Sequence, residues 1–473
     1  MKSTYFNFSF FCIAVLICVL GCNRSKRDIR SQNENNTPNI IFLLTDDQRW
    51  DALGYAGNSD IITPNLDTLA AESVYFKNAY VTTSICAVSR ASILTGQYAR
   101  RHNIWGFAKN FSEEQLQNTY PLLLRKAGYH IGFIGKYGVG NKLPSKHFDY
   151  WKGFPGQGTF NERDENGDSI HLTKKIGKQI VDFLELQQGN EKPFSLSVSF
   201  KAPHVESDPG HFNPDRAYDD LYVTDSMNIP KTSIEAFRNY FPERFTENNV
   251  ARNRWETRFA NPTMQQESIK DYYRLIYGVD QVVGKLRKEL ERLNLDQNTI
   301  IIFTSDNGFY LGEYGLAGKW YGSEPSIRVP MIIYNPSDTI NAQKTINDKV
   351  LNIDIAPTIL SYAGIQLPEQ MQGKDLSELI DGKNNNWRNE FFYEHIWESS
   401  EAYYIPSTEG VVSGDKKYMK YFMNRDTTDV IFEELYDLSK DPKEINNLIG
   451  KPEANGLEMA LRKKYVALKK AGE

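Results

Sequence analysis

From Asn39 onward, short apolar runs alternate with stretches whose apolar positions recur every three to four residues. Ile40 to Leu44 is a continuous apolar run that stops at Thr45-Asp46-Asp47, the pattern of a strand buried on both faces. Leu122 to Ala127 followed by Gly128 reads as a helix with its glycine stop, and Tyr129, Ile131 and Phe133 then alternate as a strand ending at Gly135-Lys136. Phe194, Leu196, Val198 and Phe200 alternate likewise and lead to Lys201-Ala202-Pro203-His204. The longest helical signal joins Ile269, Tyr272, Ile276, Val279, Val283, Leu286, Leu290 and Leu293, and predicts one helix lying on a sheet rather than a coiled coil. It feeds Ile300 to Phe303, another buried strand, which ends at Thr304-Ser305-Asp306-Asn307-Gly308. Alternating strands and helices predict a largely parallel sheet covered on both faces. Ligands of such sheets bind beyond the carboxyl ends of the strands, where each of these polar clusters falls.

Three further regions have a different texture. Residues 205–265 are rich in charge and aromatics without clean periodicity and read as an insertion over the site, within a catalytic domain spanning 38–382. After Gly382 come short strand-like pieces, Glu409 to Val412, Tyr418 to Tyr421 and Phe432 to Tyr436, which predict a smaller C-terminal subdomain over 383–473. At the other end, Lys2 precedes an apolar stretch, Phe8 to Leu20, too short for a membrane span, so residues 1–21 read as a secretory signal. It ends Val19-Leu20-Gly21-Cys22, which resembles a bacterial lipobox. That resemblance implies lipidation of Cys22, with plain signal cleavage as the alternative, and makes residues 22–37 a flexible tether to the membrane. The basic run Asn23 to Arg27 points to a protein facing the periplasm.

Composition narrows the classes. A chain of 473 residues with 40% hydrophobic residues is too apolar to be disordered, and a net charge of −5 argues against a nucleic-acid binder. Four cysteines, Cys12, Cys18, Cys22 and Cys86, exclude a disulfide scaffold or a zinc ribbon. With the signal removed and Cys22 lipidated, Cys86 is the single free thiol.

Adjacent carboxylates such as Asp46 and Asp47 repel each other unless a cation lies between them, and Asp306-Asn307 offers two more oxygens at another strand end. Hard oxygen donors without a histidine cluster favour calcium, and magnesium less, over zinc. Taken alone, each pair also suits an ordinary turn or helix cap.

The segment Ser84-Ile85-Cys86-Ala87-Val88-Ser89-Arg90-Ala91-Ser92-Ile93-Leu94-Thr95-Gly96 resembles the signature of the type I sulfatases, Cys-x-Pro-Ser-Arg followed by Leu-Thr-Gly, with Val88 where proline is commonest. Thr63-Pro64-Asn65-Leu66-Asp67, Gly135-Lys136, Ala202-Pro203-His204, Ser305-Asp306-Asn307-Gly308, Gly312-Glu313-Tyr314-Gly315 with Lys319, Asp354-Ile355-Ala356-Pro357-Thr358 and Glu434-Leu435-Tyr436-Asp437-Leu438 extend the likeness over nearly the whole mature chain. The resemblance implies an α/β/α sandwich like alkaline phosphatase, with a large mixed, mostly parallel sheet and a smaller C-terminal α+β subdomain carrying an antiparallel sheet.

It also implies a chemistry. A maturating enzyme converts the family's cysteine, here Cys86, to formylglycine (3-oxoalanine), whose hydrate is the nucleophile. Asp46, Asp47, Asp306 and Asn307 would hold the cation together with the residue at Cys86, and Arg90 would hold the hydrate. Lys136 and Lys319 would offset charge on the sulfate, and His204 would protonate the departing oxygen. Cys86 should open a helix whose N-terminus favours an anion.

One family position is missing. Lys-Trp-His is usual after the first lysine, whereas this chain reads Lys136-Tyr137-Gly138, leaving His102 and His211 as visible candidates for the absent base. Lys201 and the insertion residues Arg252, Arg254, Trp255 and Arg258 are candidates for binding a sulfated sugar, or are solvated surface. The expected partner is a sulfated oligosaccharide from a polysaccharide such as ulvan or a glycosaminoglycan. A phosphomonoesterase or phosphodiesterase of the same superfold and a lapsed carbohydrate-binding lipoprotein are the alternatives.

Overall fold

The hydrophobic runs become the centre of the sheet. The computed structural model describes Met1 and residues 37–207, 210–234, 238–384, 386–400 and 403–472, so most of the signal segment, Cys22 and the tether fall outside the described residues. Asn39–Thr45 is a central strand with every residue buried. Phe194–Ser199 and Thr299–Ser305 flank it, both parallel to it. On the first side the sheet continues with His130–Lys136 and Tyr150–Phe154, again parallel. On the other side Met331–Tyr334 runs antiparallel, and Val74–Tyr80 lies antiparallel to that strand and so returns to the common direction. Arg328–Val329 and Thr345–Leu351 pair with Val74–Tyr80 and complete nine strands.

Alternation along each strand divides the side chains between two cores. Ile40, Phe42 and Leu44 pack with Ile300 and Ile302 under the helices Cys86–Thr95, Tyr120–Lys126 and Ile355–Tyr362. Ile41 and Leu43 pack with Ile301 and Phe303 under Pro64–Ala71, Leu172–Glu185 and Pro262–Arg292. The 31-residue helix Pro262–Arg292 is about 46 Å long at 1.5 Å per residue, enough to cross the sheet. Asn261 starts it by accepting the Met264 N–H at 3.0 Å, with Pro262 in the first turn.

Phe194–Ser199 alternates apolar and serine positions, yet it is buried on both faces. The serines are tolerated because they find partners: Ser197 Oγ lies 2.6 Å from Tyr120 Oη, and Ser199 Oγ accepts from Arg90.

Towards the C-terminus, Glu390–His395, Ser407–Ser413, Lys416–Met423 and Asp426–Asp437 form a four-stranded antiparallel sheet in sequence order. The helix Asn455–Ala471 covers it through Leu461, which packs with Val411, Tyr418 and Leu435. Between the long helix and the last parallel strand of the first half, the insertion carries short turns and the helices Glu243–Thr246 and Val250–Arg258.

Candidate active site

Parallel strands deliver their carboxyl ends to one edge of the sheet, and the polar clusters meet there. The ladder persists past the strands, Asp306 N–H donating to the Thr45 carbonyl at 3.0 Å and Asp46 N–H to the Ala202 carbonyl at 3.1 Å, so the two acidic turns are drawn together. Asp47 adopts φ +71°, a left-handed conformation that aspartate tolerates better than most residues. The long helix pins this turn: Tyr272 Oη donates to the Asp47 carbonyl at 2.7 Å and accepts the Arg49 N–H at 3.1 Å.

Cys86 is the first residue of its helix, entered from the extended Ile85. Its Sγ lies 3.2 Å from Asp46 Oδ1, and Lys319 Nζ lies 2.9 Å from the sulfur. One turn on, Arg90 donates from Nε to Asp306 Oδ2 at 2.8 Å, from Nη2 to Asp46 Oδ2 at 3.2 Å and from Nη1 to the Lys136 carbonyl at 2.7 Å. Lys136 pairs with Asp46 Oδ2 and donates to Gln157 Oε1 at 2.6 Å, while Lys319 pairs with Asp47 Oδ1. His204 Nδ1 is 2.8 Å from the Val205 carbonyl, which assigns the proton there, and its Nε2 faces Asp47 Oδ2 at 3.6 Å.

Burial sets the electrostatics. It pushes the Asp46 carboxyl up, but Lys136, His204, Arg90 and Lys319 together hold it well below the usual carboxylate range. Burial and then the Asp46 charge push Asp306 up to about 6, against Arg90, Lys136 and Lys319. The same two causes push the Cys86 thiol up to about 12, so as a thiol it stays protonated and is a poor nucleophile. Lys319 is buried yet raised, because Asp47 and its neighbours favour the ammonium. His204 is lowered to about 3 by burial, against Asp47 and Asp46, and is neutral at pH 7.

The donor set fits a hard dication. Oxygens of Asp46, Asp47 and Asp306 and the Cys86 sulfur lie within 4.8 Å of one another. Asn307, whose Nδ2 donates to Asp47 Oδ1 at 2.5 Å, has a buried Oδ1 with no hydrogen-bond partner among the described residues. An orphaned amide oxygen beside three carboxylates suits an oxygen-coordinated ion.

Of the candidates from the sequence, Asp46, Asp47, Cys86, Arg90, Lys136, His204, Asp306, Asn307 and Lys319 converge here. Lys201 makes no hydrogen bond within this cluster among the described residues, although Asp46 and Lys136 feel its charge. Its ammonium donates to the Gly158 and Glu206 carbonyls at 2.9 and 2.8 Å and sits 4.9 Å from the Phe160 ring centre, a buried structural clamp. Of the insertion residues, Arg254 is half-buried over the Trp320 ring. Trp255, Arg252 and Arg258 are buried, Arg252 donating to the Arg238 carbonyl and Arg258 to the Gly210 carbonyl. His102 is buried against Ser92 at 3.0 Å, and His211 is exposed.

Sequence reading missed Gln157, which holds Lys136 from a loop between Gly156 and Gly158, both at positive φ. The Gly-x-Gly spacing was the available signal. It also missed Ser199, whose position at a parallel strand's carboxyl end was the clue, and Tyr272, whose role depends on a helix distant in sequence.

Comparison with known proteins agrees with this geometry. The family described as Sulfatase matches residues 38–365, and that described as N-sulphoglucosamine sulphohydrolase, C-terminal, matches 312–471. An N-acetylglucosamine-6-O-sulfatase of Bacteroides thetaiotaomicron is 29% identical, covering 89% of this chain and 84% of that protein. An ulvan-active sulfatase of Formosa agariphila is 29% identical over 96% of this chain and 86% of that one. Among solved structures, a complex with its substrate D-glucosamine-2-N,6-O-disulfate superposes with a TM-score of 0.78 at 28% identity, covering 92% of this chain and 98% of the other.

Proposed function

The chain belongs to the sulfatase family and is a sulfuric ester hydrolase, and we propose that it removes sulfate from a polysaccharide-derived carbohydrate using a formylglycine made from Cys86 and a calcium ion. The observation that carries this reading is the setting of Cys86. A buried thiol pushed up to about 12 has no use as a thiolate, yet it sits where Asp46 and Lys319 converge. Its Sγ stands in for the oxygens that formylglycine hydrate would carry.

Asp46, Asp47, Asp306 and Asn307 would hold the cation, which when bound acidifies an oxygen and withdraws charge from the sulfate ester. Lys319, 2.9 Å from Sγ, holds negative charge at the attacking position. Lys136, kept in place by Asp46 and Gln157, faces the developing charge on sulfate oxygens. Arg90 orients the Asp46 and Asp306 carboxylates, so its principal role is one of positioning. His204, whose one proton is committed from Nδ1 to Val205, presents an unprotonated Nε2 that takes up a proton from solvent before giving it to the departing oxygen. One water is consumed, and sulfate and a free hydroxyl leave.

The N-acetylglucosamine 6-sulfatase and ulvan-active relatives motivate a panel of sulfated glucosamine, glycosaminoglycan and ulvan oligosaccharides, with phosphate esters alongside. Sulfate release from a member of the panel is expected, and phosphate release alone would replace the reading with a phosphoesterase. Mass spectrometry of the Cys86 peptide should show a loss of about 18 Da, the exchange of thiol for aldehyde, made by a maturating enzyme. An active preparation with an intact thiol would overturn the formylglycine assignment.

We propose further that Cys22 carries the lipid anchor and that the enzyme faces the periplasm, on the strength of Val19-Leu20-Gly21-Cys22 and the basic run after it. Cys22→Ala should move the protein from the membrane to the soluble fraction, and unchanged membrane retention would refute the anchor.

A further inference from the structure

On the C-terminal side of Lys319 a file of rings leads away from the site. Trp320 follows Lys319 and donates its backbone N–H to the Ser84 carbonyl at 3.1 Å. Arg254 lies over the Trp320 ring at 4.6 Å and donates to Tyr403 Oη at 3.3 Å, and Tyr403 packs on Trp397 with ring centres 6.4 Å apart. The file ends in an open cleft of about 510 Å³ lined by Trp105, Phe107, Lys109, Trp397, Glu398 and Arg425.

Three features mark this cleft as a binding site for a sugar bearing an anionic group. Phe107 is 40% exposed, an apolar ring left open beside two tryptophans, which is the surface that the C–H face of a pyranose covers. Trp397, which lines the cleft, has an indole N–H that is buried with no hydrogen-bond partner among the described residues, so this wall carries an unmet donor beside its rings. Positive charge stands at the rim: Arg425 lies 5.8 Å from the Trp105 ring centre and pairs with the exposed Glu398 at 3.0 Å, and Lys109 is exposed. An exposed pair of this kind is readily exchanged for a ligand anion.

We infer that this cleft is a second carbohydrate subsite, taking a sulfated or carboxylated sugar of the same oligosaccharide at a distance from the sugar whose ester is cleaved. The inference rests on the carbohydrate reading above and deepens it: the enzyme recognises a chain rather than a single sugar. Trp105 and Trp397 bind the sugar faces, and Arg425 with Lys109 selects the anion.

The test compares 4-methylumbelliferyl sulfate, which has no second sugar to place in the cleft, with tetrasaccharide fractions of heparin, chondroitin sulfate and ulvan. In Trp105→Ala, Trp397→Ala and Arg425→Ala, kcat/KM on the accepted tetrasaccharide should fall about tenfold, mainly through KM, as expected for truncating a tryptophan or arginine anchor. Turnover of the aryl ester should stay within about twofold, which also shows that the variants fold. Equal losses on both substrates, or no loss on either, would overturn the subsite. Turnover of the aryl ester with none of any tetrasaccharide would instead remove the carbohydrate reading, and the subsite with it. Desulfated and carboxyl-reduced tetrasaccharides used as inhibitors then tell which anion Arg425 meets.

Discussion

At Gly138 the backbone has φ +75°, and a Cβ there would lie 2.6 Å from Arg90 Cδ. The position where the family usually carries histidine is therefore filled here by the flank of the arginine that braces Asp46 and Asp306. Restoring the histidine should harm the enzyme: Gly138→His is expected to strain the turn, displace Arg90 and lower kcat/KM by about 10²-fold or more, the scale of losing one charge-stabilising donor. Equal or higher sulfatase activity would show that the space is not contested. The chain's missing motif position was visible in the sequence, but its cause was not, because it depends on where a side chain 48 positions away packs. His395 offers a second residue-scale test. Burial lowers it to about 3, below its unfolded value near 6.5. Between these values the unfolded chain binds a proton that the folded chain refuses, so this residue's contribution to stability is present above pH 6.5 and is lost as the pH falls towards 3. His395→Phe keeps a ring against Trp397 and should flatten the acid limb by about 1.4 kcal/mol per pH unit. Urea unfolding of both proteins at pH 7 and pH 5 measures it, and parallel losses would contradict the burial argument.

Elements were legible where their sequence pattern coincides with their surroundings. Ile40 to Leu44 and Ile300 to Phe303 are apolar on every position because helices cover both faces, and the polar residues directly after them could be assigned to the edge of the sheet. Lys201 follows the same kind of strand, yet nothing local tells that the Gly158 and Glu206 carbonyls enclose its ammonium. Glu390–His395 went unread as well, since its strand character comes from pairing with Ser407–Ser413 rather than from any period of its own. Thr63-Pro64-Asn65-Leu66-Asp67 was recognised only as a resemblance, and the structure supplies its physical reason. Asp280, from the long helix, accepts the Asn65 and Leu66 N–H groups at 2.9 and 2.7 Å and the Asn65 amide at 2.7 Å, so one helix caps the start of another. Asp280→Ala leaves the buried Leu66 donor and the two half-buried Asn65 donors unmet and should cost about 3 kcal/mol, at roughly 1 kcal/mol per lost bond. Chemical denaturation reads the loss, and a change under 1 kcal/mol would mean that water replaces the carboxylate.

For the whole molecule the net charge of −5 and the character of the site point in opposite directions. At physiological salt the Debye length is about 8 Å, so the chain's overall charge is screened and the cluster decides how an anion is met. Within that cluster the charges of Asp46, Asp47 and Asp306 are matched by those of Arg90, Lys136 and Lys319. A bound dication therefore leaves two positive charges uncompensated in a buried place, and sulfate brings two negative ones. Cation and sulfate should accordingly bind with positive coupling, and by reciprocity each should tighten the other by the same factor, on the order of tenfold. Titration of the purified enzyme with calcium in the presence and absence of sodium sulfate, followed by calorimetry, measures the coupling, with sodium chloride at matched ionic strength as control. Lys319→Gln removes one positive charge beside Asp47, so it should strengthen calcium binding while weakening sulfate binding. If Lys319→Gln weakens both, the lysine acts by holding the carboxylates in place rather than by its charge.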